Sequence, residues 1–135
     1  MYTLAMQKAR EENRIVEFLS EVTNWLSEEL DIPFSNIDTS ESNKTKAYIY
    51  FDDIRIRIGA FHSTEPTLWL ALEPSNSKKP DGFVQFVNKI GWEMRKGNKL
   101  ARMPNYRGTK DLSVIRDQIN ELLASLRECG QRLVE

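Results

Sequence analysis

The stretch KAYIYFDDIRIRIGAFH, which begins at Lys46, constrains the fold more than any other part of the chain. Its apolar residues alternate at period two, except for one step of three between Phe51 and Ile54. Period two sends successive side chains to opposite faces of a strand. A step of three across Asp52-Asp53 is what a two-residue hairpin turn produces. Residues flanking such a turn face each other, so Phe51 pairs with Ile54, Ile49 with Ile56 and Ala47 with Ile58 on one wholly apolar face. The other face sets Tyr50 against Arg55 and Tyr48 against Arg57, contacts that cation–π attraction favours by about 0.5–1 kcal/mol when exposed. Asp-Asp is a weaker turn former than Asp-Gly, which leaves a single long bulged strand as the alternative.

Elements for the rest of the chain follow from the same patterning. Over residues 3–30, Ile15, Leu19, Val22, Leu26 and Leu30 recur at three- and four-residue steps, with Phe18 and Trp25 widening the stripe. This predicts one amphipathic helix with a more polar, fraying start, ended by Pro33 and followed by a polar loop over residues 35–45. Residues 67–73 alternate again, with Leu68, Leu70 and Leu72 on one face and Trp69, Ala71 and Glu73 on the other. The loop EPSNSKKPDG breaks the pattern, and a helix is expected over residues 81–96, burying Phe83, Phe86 or Val87, Ile90 and Met94 and ending near Gly97. A short fourth strand over residues 99–103 precedes a final helix, capped by Thr109 or Asp111 and carrying Leu112, Ile115, Ile119, Leu122, Leu123 and Leu126 toward Gly130. The expected fold is α+β in the order α-β-β-β-α-β-α, a two-layer arrangement with helices packed on the apolar face of a small, mainly antiparallel sheet. A length of 135 residues fits a single domain spanning 1–135.

Composition then removes most chemistry. The lone Cys129 forms no internal disulfide and no cysteine zinc site, which points to a reducing, cytoplasmic setting. No secretion signal opens the chain, and no run approaches the ~18 apolar residues of a membrane span. The six glycines are scattered, without a phosphate-binding loop, so no cofactor is expected. His62, the single histidine, sits beside Glu65 in a strand connection, and no nucleophile motif surrounds Cys129; both read as inert. Asp52, Asp53 and Glu73 are the carboxylates available to a Mg²⁺-dependent nuclease, but adjacent turn acids are usually solvated and Glu73 is followed by Pro74. A metal site and an enzymatic role are therefore not expected.

Two surfaces remain. One is the second sheet face, where Tyr48, Tyr50, Arg55, Arg57 and Trp69 gather on three successive strands, residue types that anchor protein interfaces and stack on bases. Its plain alternative is a half-exposed sheet covered by long side chains. The other is the segment from Lys89 to Lys110, in which Lys89, Arg95, Lys96, Lys99, Arg102, Arg107 and Lys110 oppose Glu93 alone, with Trp92 and Tyr106 interleaved. Such a stripe suits a phosphate backbone. Its plain alternative is a solvated element offsetting residues 1–43, which carry three cations against nine acids.

The stretches IRIRIGAF and LWLALEP, then IGWEMRKGNKLARM, then DLSVIRDQINELLASL resemble small uncharacterised prokaryotic domains found fused to, or encoded beside, restriction-type nucleases. The resemblance covers about two-thirds of the chain and carries over no functional residue. It implies an accessory or recognition module in defence or nucleic-acid metabolism. The leading expectation is a non-enzymatic protein-interaction domain, of inhibitor, immunity or accessory type, using the aromatic and arginine-rich face. Nucleic-acid binding through residues 89–110 is the alternative, and a Mg²⁺-dependent nuclease the second. The edges of so small a sheet also offer a second copy a place to pair as a homodimer.

Overall fold

In the computed structural model, which describes residues 3–39, 44–61, 67–104 and 108–134, the Asp52-Asp53 step is a two-residue hairpin turn. Phe51 N–H donates to the Ile54 carbonyl at 2.8 Å, and the strands on either side run antiparallel in the register the alternation predicts, Ile49 opposite Ile56 and Tyr48 opposite Arg57. The elements in chain order are α1 (Leu4–Glu11), α2 (Ile15–Leu30), β1 (Lys44–Tyr50), β2 (Ile54–Phe61), β3 (Leu68–Pro74), α3 (Asp81–Ile90), β4 (Glu93–Arg95), β5 (Leu100–Arg102) and α4 (Leu112–Glu128). The strands form one antiparallel sheet in the order β1-β2-β3-β5-β4, so the chain is an α+β protein.

Two elements depart from the sequence expectation. The first helix is broken: Asn13 takes a left-handed conformation (φ 54°), Arg14 N–H bonds the Ala9 carbonyl at 2.8 Å and Asn13 N–H bonds the Arg10 carbonyl at 3.1 Å. This pair of bonds closes α1 as a Schellman motif with asparagine, the residue after glycine most tolerant of that conformation, at its turning point. Far from fraying, α1 buries Met6 and Ala9 against the core. The helix expected over residues 81–96 stops at Ile90, where Gly91 (φ 76°) is the left-handed cap. Residues 93–95 become β4, paired through a turn over residues 96–99 with β5. Met94 lies four residues from Ile90, which suits a helix, but it also faces Ala101 across the hairpin; the glycine cap decides between them.

Apolar residues from the sheet and all four helices form one core. Ile49, Ile54, Ile56, Ile58, Leu70 and Leu72 from the sheet meet Phe18, Leu19, Val22 and Leu26 of α2, Phe83 of α3, and Ile115, Ile119 and Leu126 of α4, all essentially buried. Each such side chain stabilises the fold by about 1.5–3 kcal/mol relative to exposure. Asp111 caps α4, its carboxylate accepting from Ser113 N–H at 2.9 Å, and both Phe86 and Val87 are buried on α3. No helix among the described residues is long and apolar enough to cross a membrane.

The sheet edges are unequal. Along β1, Asp38 bridges Lys46, Ser35 N–H bonds the Tyr48 carbonyl, and the tail after α4 returns so that Leu133 bridges Phe51 and Val134 N–H bonds the Tyr50 carbonyl. The opposite edge is β4, three residues long. Short or covered edges resist pairing with further strands.

Candidate functional site

Strand parity places Tyr48 and Tyr50, Arg55 and Arg57, and Trp69, Ala71 and Glu73 on the sheet face opposite the core, and extends that face to Leu100 and Arg102 of β5 and Glu93 and Arg95 of β4. Part of the basic segment therefore shares one face with the aromatic and arginine-rich surface. Within it, two clusters of different character form.

The first is closed on itself. Glu73 lies opposite Arg55, and its carboxylate accepts from Arg55 Nε at 2.9 Å and from Arg57 Nη1 at 3.0 Å. The Glu73 side chain is only 10% exposed, against 30% for Arg55 and 16% for Arg57. Drawn toward Glu73, the Arg55 guanidinium lies 4.3 Å from the centroid of the Tyr48 ring, diagonally across from it and two residues along β1 from its cross-strand partner Tyr50. The contacts expected between direct partners are thus replaced by a diagonal cation–π contact and a shared ion pair. Tyr48 is 6% exposed and its ring centroid lies 5.8 Å from that of Tyr50. Burial, reinforced by the Glu73 carboxylate, pushes the Tyr48 phenol above its ordinary pKa, against the opposing pull of Arg55, Lys46 and Arg57. For Arg55, burial works against the charge, but the Glu73 carboxylate outweighs it and raises the pKa.

The second cluster is open. Between β3 and the β4–β5 hairpin lies a depression of about 150 Å³, walled by Arg57, Trp69, Lys96, Leu100 and Arg102, with Gly59 and Ala71 keeping it clear of larger side chains. Gly59 pairs with Trp69, and a Cβ there would meet only ordinary van der Waals neighbours, so the glycine leaves room. The Arg102 guanidinium lies 6.0 Å from the Trp69 ring centroid. Trp69 is held from another side by Gly108, whose φ of +79° and close approach admit no side chain: a Cβ would sit 2.7 Å from Thr67 Cγ2 and 2.9 Å from Trp69 Cε2. Lys96 also has a left-handed backbone (φ 53°), followed by Gly97 (φ 67°), in the hairpin turn. A lysine in that conformation costs about 1 kcal/mol, and local strain of this kind concentrates at functional sites.

The basic segment is divided by the fold. Arg95, Lys96, Lys99 and Arg102 share the β4–β5 hairpin, with Arg95 paired to Glu93 at 3.1 Å. Lys89 lies in the last turn of α3, its Nζ 3.5 Å from Cys129 Sγ, and Lys110 precedes α4. Arg107, Tyr106, His62 and Glu65 lie outside the described residues. The three carboxylates weighed as a metal site have other partners: Glu73 holds two arginines, the Asp53 carboxylate accepts from Gln131 Nε2 at 2.8 Å, and Asp52 accepts from Arg132 at 3.4 Å. Among the described residues no three His, Cys, Asp or Glu side chains group as metal ligands. Sequence reading missed Gly59, Leu100 and Gly108 as parts of the site. A glycine interrupting the alternation of β2 was the one available sign for Gly59.

No protein-family model, no curated protein and no solved structure matches the chain.

Proposed function

We propose that the chain is a non-enzymatic module that binds an acidic protein partner through the open end of this face, centred on Arg57, Trp69, Lys96 and Arg102. The reading takes the molecule as two-layered, helices on the apolar face and a partner on the other. One observation carries it: three cations and a tryptophan wall a single depression whose lining includes no carboxylate. Trp and Arg in a desolvated recess are the residues that dominate protein interfaces, and Lys96 and Arg102, which share no ion pair with a described carboxylate, favour a partner of opposite charge. Tyr48, Tyr50 and Arg55 take the role of a rigid, internally paired support rather than of direct contacts. A partner of this kind fits an inhibitor, immunity or accessory module acting inside cells, in keeping with the resemblance to domains found beside restriction-type nucleases.

The test is a peptide array graded in net charge, probed with the purified chain. Retention is expected to rise with negative charge, to disappear on combining Lys96→Glu with Arg102→Glu, and to persist on Arg10→Glu. Retention independent of peptide charge rejects the proposal.

A second reading has its own supporting observation. Arg95, Lys96, Lys99 and Arg102 share one two-stranded hairpin, an element that fits nucleic-acid grooves. Weighing against base stacking, the Tyr48 ring already carries a guanidinium and Trp69 has one close by. Mobility shift of oligonucleotides at low salt, lost with Arg95, Lys96 and Lys99 replaced by Ala, supports this reading; unchanged mobility removes it.

A further inference from the structure

Resting on the proposal of an acidic protein partner, we infer that the depression receives one carboxylate side chain of that partner, clamped between Arg102 and Lys96 with its methylenes against Trp69 and Leu100. Its size fits. A volume of about 150 Å³ is many times the ~10–15 Å³ that a single water needs, which leaves room for a short side chain such as that of glutamate. Its lining fits as well, since Arg102 and Lys96 stand with the apolar surfaces of Trp69 and Leu100, a combination that matches a charged head on a short hydrocarbon stem.

The charge balance points the same way. Arg57 already shares Glu73 with Arg55, whereas Lys96 and Arg102 form no ion pair with a described carboxylate. Arg102 presents a planar fork of donors that matches a carboxylate bidentately, and Lys96 adds a point charge.

The experiment uses the whole chain and capped decapeptides in which glutamates alternate with glycines, beside glutamine and phosphoserine counterparts and an oligothymidylate. Binding is followed by tryptophan fluorescence, with the Trp69→Phe protein as blank for Trp25 and Trp92, and by calorimetry; thermal melts verify that each variant is folded. The glutamate peptide is expected to change the Trp69 signal and the glutamine peptide to leave it unchanged. Arg102→Ala and the charge-conserving Arg102→Lys should each weaken binding at least ~5-fold, because both lose the planar fork even where the charge is kept. Lys99→Ala, which removes an equal charge outside the depression, should change it less than ~2-fold. Equal losses for Lys99→Ala and Arg102→Ala, or wild-type affinity in Arg102→Lys, overturn the clamp while leaving the acidic-partner proposal standing. Absence of binding by every peptide overturns both. A phosphoserine peptide bound more than ~10-fold tighter than the glutamate peptide replaces carboxylate with phosphate as the ligand, and tighter binding of oligothymidylate returns the face to the nucleic-acid reading.

Discussion

Replacing Glu73 tests whether the Tyr48–Arg55–Arg57 cluster is a support held together by charge. The carboxylate accepts from two guanidiniums at 2.9 and 3.0 Å and is itself almost buried. A hydrogen bond to a charged group contributes about 1.5–3 kcal/mol net, and removing one partner of a buried pair costs about 3–5 kcal/mol because the other charge is stranded. Arg55 retains nearly a third of its side-chain exposure and resolvates, so its share is discounted, whereas Arg57 is held deeper. Glu73→Ala is therefore expected to cost roughly 3 kcal/mol, and Glu73→Gln, which keeps an acceptor without the charge, roughly 2 kcal/mol. With a urea m-value of about 2 kcal/mol/M, the midpoint falls by about 1.5 M and about 1 M respectively. The triple variant Arg55→Met, Arg57→Met, Glu73→Leu should recover to within about 1 kcal/mol of the original chain, since it strands no charge. A midpoint shift below about 0.3 M for Glu73→Ala refutes the reasoning. A triple variant as unstable as Glu73→Ala assigns the loss to packing instead.

Gly108→Ala adds a left-handed penalty of about 1 kcal/mol and an overpacking penalty of about 1–3 kcal/mol, so a urea titration should show a loss of about 2–4 kcal/mol together with an altered Trp69 fluorescence spectrum; an unchanged midpoint contradicts the close approach. The raised Tyr48 pKa means that its stabilisation is complete below pH ~10 and is lost as pH climbs through the folded-state value. Alkaline denaturation curves of Tyr48→Phe should consequently be flatter above pH ~10 than those of the original chain, and superimposable curves would count against it. Asp111 has its pKa lowered by the Ser113 hydroxyl and backbone N–H, so its capping contribution is present above the ordinary carboxylate range and fades as pH falls. Asp111→Ala should lower the melting temperature at pH 7, and by progressively less as the pH falls below the ordinary carboxylate range, as read by circular dichroism.

The strands were the most legible part of the fold, for a physical reason. A one-residue slip would have turned Ile54, Ile56 and Ile58 from the core to solvent, so their alternation specifies both the turn and the register. Boundaries were harder wherever one residue suits two periods. Met94 continues a helical phase from Ile90 and equally suits the hairpin with Ala101, and only the left-handed Gly91 separates them. Asn13 suits a left-handed cap, but an asparagine alone does not end a helix, and its role shows only once Ala9 and Arg10 are seen to receive the closing bonds. The site residues Arg57, Trp69, Lys96 and Arg102 were all visible as types, but not their convergence, because β5 inserts between β3 and β4 and brings Arg102 beside Trp69 across more than thirty residues of chain. Nor could patterning reveal that Glu73 would take up Arg55 and Arg57, a pairing set by the β2–β3 register.

The covered edge of β1 has a consequence for the order in which the chain acquires its structure. The strand's outer peptide groups at Tyr50 are bonded by Val134, more than eighty residues later, so this seal closes by one of the longest loops in the molecule. During synthesis β1, β2 and β3 are complete well before residues 131–134 leave the ribosome, and until then part of a strand flanked by Tyr48, Ile49 and Tyr50 is unprotected. The nascent chain thus passes through a stage with greater self-association hazard than the finished protein. Residues 131–134 act as a late safeguard on β1, and refolding at high concentration should depend on them more than equilibrium stability does.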